Sequence, residues 1–170
     1  MKHKWIILTA VLLLCLCAGA AAQVEINETN FPDGTFRAYV TRNFDSNGDK
    51  VLSDAEIALA TSIDVSGMGI QSLQGIEYFA ALELLYCGGN NLTSLDVSGC
   101  TALDSLQCSR NNLTSLDVSR CTALKWLDCI HNAYDIQVTS NGFFNLRMLP
   151  GNFVPSRAYN WTGGSVSVGA

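Results

Sequence analysis

The chain has 170 residues, of which 48% are hydrophobic and 15% charged. Much of the apolar excess lies in residues 1–22; without them Lys2 and Lys4 go, and eight basic residues face fifteen acidic ones, a charge of −7. So acidic a chain has no electrostatic footprint for nucleic acid or an anionic membrane surface, and its two histidines, one of them His3, exclude a His-rich catalytic metal site.

Lys2, His3 and Lys4 form a basic start, Ile6 to Cys17 an apolar core, and Ala20 and Ala22 the small residues before Gln23. This is the pattern of a cleaved secretory signal over 1–22. A retained anchor fits less well, because the second half of Trp5 to Ala22 is Ala and Gly. The expected location is therefore secreted, with no membrane contact after cleavage. Five cysteines remain: Cys87, Cys100, Cys108, Cys121 and Cys129.

Phe36, Tyr39, Val40 and Phe44 sit at helical spacing, and Pro32 suits a first turn. Asp45-Ser-Asn47-Gly-Asp49-Lys50-Val51-Leu52-Ser53-Asp54-Ala55-Glu56 follows. Oxygen donors at places 1, 3 and 5 (Asp45, Asn47, Asp49), a carbonyl at 7 (Val51), an apolar residue at 8 and Glu56 at 12 match an EF-hand-like calcium loop. Ca²⁺ wants hard oxygens on a chain that coils round it, and alternate residues provide them. Lys50 stands at place 6, where Gly usually makes the sharp turn, and a left-handed Lys costs roughly 1 kcal/mol. The bland alternative is an Asx turn followed by a Ser53-x-x-Glu56 capping box, without metal. A single such loop points to a weak or structural site.

The cysteines then reveal a period. Cys87, Cys108 and Cys129 are 21 apart, as are Cys100 and Cys121. Leu82-x-x-Leu85-x-Cys87-x-x-Asn90-x-Leu92 recurs from Leu103 to Leu113 and from Leu124 to Tyr134, and residues 92–102 return almost verbatim at 113–123. A degenerate first unit, Ala60-x-x-Ile63-x-Val65-x-x-Met68-x-Ile70, precedes them at an offset of 22. This is the leucine-rich repeat pattern with Cys at the third apolar place. A leucine-rich repeat solenoid is expected: a parallel strand face, a convex side of extended or 3₁₀ turns, a small helical cap before it and an irregular or β cap after it. The segments are 23–60 (helical cap and acidic loop), 61–134 (repeats) and 135–170 (closing cap, with Ile136 and Val138 in a final edge strand).

Each unit turns Leu and Cys inward. Asn90, Asn111 and Asn132 sit where the chain leaves the strand, placed to satisfy backbone groups of their own and the next coil; Met68 cannot, which suits a terminal rung. Cys87, Cys108 and Cys129 read as small buried hydrophobes filling a ladder slot. Zinc wants closer pairs, and Cys129 inward with His131 on the following turn makes no nucleophile–base pair. No catalytic residues are expected. Outward positions on the strands are Asp64, Leu84, Tyr86, Gln107, Trp126, Asp128 and Ile130, a mix of large apolar and polar groups typical of a recognition patch; scattered surface hydrophobics are the plainer explanation.

Leader, acidic loop and repeats together resemble secreted bacterial leucine-rich repeat proteins of the internalin type, over residues 28–163. The likeness includes Phe31-Pro32-Asp33 with Phe36-Arg37 and Tyr39-Val40, Ile63 to Gly67, the rungs, Leu149 to Phe153 and Asn160 to Gly164. It implies a helical cap on the open end of the coil stack and a non-catalytic module whose strand face binds a protein or carbohydrate. The rungs are few, and the sequence stops at Ala170 without a wall anchor. A spacer or fragment of a larger surface protein, with no ligand of its own, is therefore the alternative expectation.

Overall fold

The computed structural model describes residues 23–132 and the backbone of 137–139. The expected signal over 1–22 and most of the expected closing segment 135–170 lie outside the described residues.

Strand β1 (Val24–Glu25) pairs antiparallel with β2 (Val51–Leu52), so the end of the acidic loop is stitched to the start of the described chain. Between them runs helix α1 (Gly34–Phe44). Asp33 is its N-cap, accepting from the N–H groups of Thr35 and Phe36 at 2.9 and 3.0 Å, which satisfies two of the donors a helix start leaves free. Pro32 thus lies just before the cap rather than in the first turn. Phe36 and Val40 face the core; Tyr39 and Phe44 are half-buried. Helix α2 (Asp54–Leu59) starts in a full capping box between Ser53 and Glu56.

Four short parallel strands follow, one per coil: β3 (Ser62–Asp64), β4 (Leu84–Tyr86), β5 (Ser105–Gln107) and β7 (Trp126–Asp128), hydrogen-bonded in that order. Their register puts Ile63, Leu85, Leu106 and Leu127 side by side, all buried. This is the spacing the repeat period dictates. The return limbs carry a 3₁₀ turn at Ile76–Tyr78 in the first coil and strand β6 (Ser115–Asp117) in the third. β6 pairs with β8 (Gln137–Thr139) in parallel, Leu116 opposite Val138. The strand expected around Val138 thus extends this second sheet, not the main strand face, and Ile136 lies outside the described residues.

One apolar core runs from Ile26 to Cys129. Phe31, Phe36, Val40 and Leu52 join it from the helical segment, and the repeat leucines, Val97, Val118 and all five cysteines from the coils. The helical segment is fastened to the first coil by side chains. Phe31 packs edge-on to Tyr78 and Phe44 against Phe79. Asp33, already the cap of α1, also accepts from the Gln71 N–H at 2.8 Å, and the Tyr39 hydroxyl accepts from the Asp64 N–H at 3.3 Å. Gly75, at φ 101°, lets the coil pass directly beneath Phe31; a Cβ there would lie 2.3 Å from the ring.

Candidate functional site: the strand face and its exit edge

A side chain on β3, β4, β5 or β7 that points away from the core meets its equivalents on the neighbouring strands about 4.8 Å away. The rows so formed are Ser62, Leu84, Ser105, Trp126 and Asp64, Tyr86, Gln107, Asp128. Asp64 is exposed; Leu84, Tyr86, Gln107, Trp126 and, just beyond β7, Ile130 are half-buried. Gln107 lies back over Gly88, whose N–H it accepts at 3.3 Å. Asp128, expected to face outward, is buried at 5% exposure; its Oδ1 is drawn to the Ile130 N–H at 3.2 Å, so the carboxylate serves the backbone instead of the face. The accessible patch is thus the Tyr86–Gln107–Trp126 area with Leu84, Ile130 and Asp64.

The chain leaves each strand through a turn that swings an asparagine inward. The amide N–H groups of Asn90 donate to the carbonyls of Cys87 and Val65, and its oxygen accepts from the Ile70 N–H. Asn111 donates to Cys108, Ser109 and Cys87 and accepts from Leu92; Asn132 donates to Cys129 and Cys108 and accepts from Leu113. Among the described residues each asparagine therefore serves its own coil and the preceding one, not the next. The reason is direction: the side chain enters the core after its strand and finds the unpaired groups of the coil already laid down. Met68, at the equivalent place in the first coil, is exposed.

To bring that asparagine in, the residue before it takes a left-handed backbone in three coils. These residues are Gly89, Arg110 and His131, with Gly67 equivalent in the first coil; their φ values are 68°, 55°, 54° and 66°. Glycine adopts this conformation freely, whereas a side chain there costs roughly 1 kcal/mol. Arg110 and His131 are both exposed. The sequence carries the signal for this turn, since Gly67 and Gly89 fall at the same repeat place.

The five cysteines among the described residues are free and buried. Burial pushes the Cys87 thiol to about 12 and that of Cys129 to about 11, and holds Cys108 well above the ordinary range. Such thiols carry almost no thiolate at neutral pH, and the thiolate is the nucleophile. Cys129 is inside and His131 outside. Cys100 and Cys121 form a second row on the return side; their S–H groups point at the carbonyls of Ile76 and Val97, at 3.3 and 3.5 Å.

The acidic loop is ordered by its own polar groups. Asp45 accepts from the N–H groups of Gly48 and Lys50, Asn47 from Asp49, and Asp49 from Val51. Lys50 takes the left-handed backbone, at φ 63°. Glu56 closes the loop: one carboxylate oxygen accepts the N–H and O–H of Ser46, the other those of Ser53, at 2.7–2.9 Å. These bonds hold its carboxyl down at about 2. As a test of fit for calcium, Asp45, Asn47 and Asp49 keep oxygen lone pairs to spare, but the four acceptor positions of Glu56 are filled. No group of three or more His, Cys, Asp or Glu among the described residues is gathered as a metal cage.

No protein-family model matches the chain. It is similar to Internalin J of Listeria monocytogenes, 37% identical over 78 residues, which are 46% of this chain and 8% of that protein. Among solved structures it is similar to the functional domain of InlJ from Listeria monocytogenes, described as including a cysteine ladder: 32% identity, TM-score 0.60, 77% of this chain and 27% of that one. The internalin InlF of the same species matches at 27% identity and TM-score 0.50, over 71% of this chain and 35% of the other. The chain thus spans under a third of the InlJ domain. Its fold resembles that of the internalin leucine-rich repeat structures.

Proposed function

We propose that the protein is a secreted, non-catalytic recognition module that binds a protein through its strand face, with Tyr86 and Trp126 as anchors. The observation that carries this reading is the placement of large side chains. Leu84, Tyr86, Trp126 and Ile130 stand half-open on the one face of the coils that is a continuous sheet, although the core has no need of them. Aromatic anchors beside polar neighbours are the usual centre of a binding patch. The likeness to internalins and the unreactive state of the buried cysteines support the same reading. Carbohydrate is the second ligand class such a face accepts.

Calcium at residues 45–56 belongs to the proposal. Asp45, Asn47, Asp49 and the Val51 carbonyl would hold the ion, which would brace the loop electrostatically. Glu56 already closes the loop through its serines, so the ion adds stability to a formed cap rather than creating it.

The deciding experiment is a binding array of surface proteins and glycans probed with the full chain, Tyr86→Ala and Trp126→Ala. Loss of a protein ligand in both variants is expected. Retention of every ligand by both would remove the face from consideration and favour a spacer without a ligand of its own.

A further inference from the structure

Glycine satisfies the left-handed turn in the first two coils, yet Arg and His occupy it in the third and fourth. Both side chains are exposed, on coils hydrogen-bonded to each other through the Arg110 N–H and the Ile130 carbonyl at 2.9 Å. The turn itself does not need them: glycine would make it without strain. Backbone strain kept at an exposed position points to a use for the side chain.

The charge distribution says which use. Elsewhere on the described surface cations stand among carboxylates: Arg37, Arg42 and Lys50 on the cap, Arg120 on a return limb and Lys125 at strand entry. The strand-entry side carries Glu83 and Asp104, the latter paired with Lys125. The return limbs carry Asp96 and Asp117, and the cap carries Asp45, Asp49 and Asp54. The strand-exit edge differs. Its turn segments, 66–70, 88–91, 109–112 and 130–132, contain no acidic residue, and Arg110 and His131 are their ionisable groups. Asp128, the nearest carboxylate in the chain before His131, is buried and turned to backbone.

We infer that Arg110 and His131 form a contact for carboxylates of an acidic peptide segment on the partner, at the edge of the face that holds Trp126. A planar guanidinium and an imidazole on adjacent coils, about 4.8 Å apart in strand spacing, suit the side chains of neighbouring Glu or Asp residues, with Arg able to bind one in bidentate fashion. The inference rests on the strand-face reading and gives that face its direction and its partner's charge.

The test uses the full chain and an immobilised decaglutamate peptide, with a sulfated heparin hexasaccharide as the competing anion. The chain's own net negative charge opposes non-specific attachment, so binding must be local. Wild type is expected to bind decaglutamate and to lose it with rising salt. The double variant Arg110→Gly/His131→Gly should melt at a higher temperature yet bind about tenfold more weakly; a merely structural position would gain stability and leave binding unchanged. Arg110→Lys should recover part of the loss, and Lys125→Ser, on the opposite edge, should not weaken binding. No binding of decaglutamate by wild type, equal binding by the double variant, or binding of the heparin fragment alone overturns the inference. If Tyr86→Ala and Trp126→Ala lose a protein ligand that the double glycine variant retains, the face reading stands and this one falls.

Discussion

The acidic loop and the coils satisfy their polar groups in opposite ways. In the loop, each Asx side chain bonds to backbone two to five residues away. In the coils, each asparagine reaches carbonyls 24 or 25 residues back and an N–H 19 or 20 back. The loop's polar side chains therefore close locally, and only its far end leans on another segment, strand β1. A coil needs its neighbour, which is why one repeat is never stable alone. In strain the two regions agree: the loop places Lys50, and the later coils Arg110 and His131, in backbone that favours glycine.

That contrast can be broken by experiment, and the largest effect should come from the coils. Asn111→Ala removes three donated bonds and one accepted bond inside the core; leaving those groups unpaired should cost about 3–4 kcal/mol. The matched loop variant Asn47→Ala, at an exposed site, should cost under about 1 kcal/mol. Equal losses in denaturant melts would end the distinction. Next comes Gly99→Ala: a Cβ there would sit 1.9 Å from the Glu77 carbonyl oxygen of the coil before. The coils must move apart, at about 2–3 kcal/mol, whereas Arg120, at the same place one coil on, is exposed.

The loop should reveal itself through pH. The Glu56 carboxyl is depressed from 4.5 to about 2 by its bonds to Ser53 and Ser46. A carboxyl lowered on folding contributes stability that is present above its unfolded value and lost as pH falls through its folded one. Stability should therefore decline from about pH 4.5 down to about pH 2, and Glu56→Gln should flatten that part of the profile. Millimolar Ca²⁺ should raise the melting temperature and chelator reverse it; an unchanged transition would withdraw the ion. The smallest effects are stabilising: Arg110→Gly and His131→Gly should each gain about 1 kcal/mol or less.

Much of this was legible in the residues. The period of 21 set which leucines and cysteines line the core and which asparagines turn inward. The Ser53-x-x-Glu56 spacing announced the capping box. The left-handed Lys50 followed from the loop pattern. Less legible was anything that depended on which coil lies next to which. Asp128 obeys the strand alternation yet is buried and serves backbone. Asp33 reads as a helix cap, but its second oxygen also holds Gln71 of the first coil. Gly99 looks like one repeat variant among others until Glu77 is found pressed against it.

By itself the sequence determined the repeat, its inward face and the local closure of the acidic loop, because these rest on periodicity and on bonds between residues close in the chain. Only the tertiary structure decided how the helical segment seats on the first coil, which outward side chains stay open, and that Arg110 and His131 stand on adjacent coils along one edge. Those outcomes depend on contacts between residues far apart in sequence, where stacking and the direction of each turn set the geometry and no single repeat contains the answer.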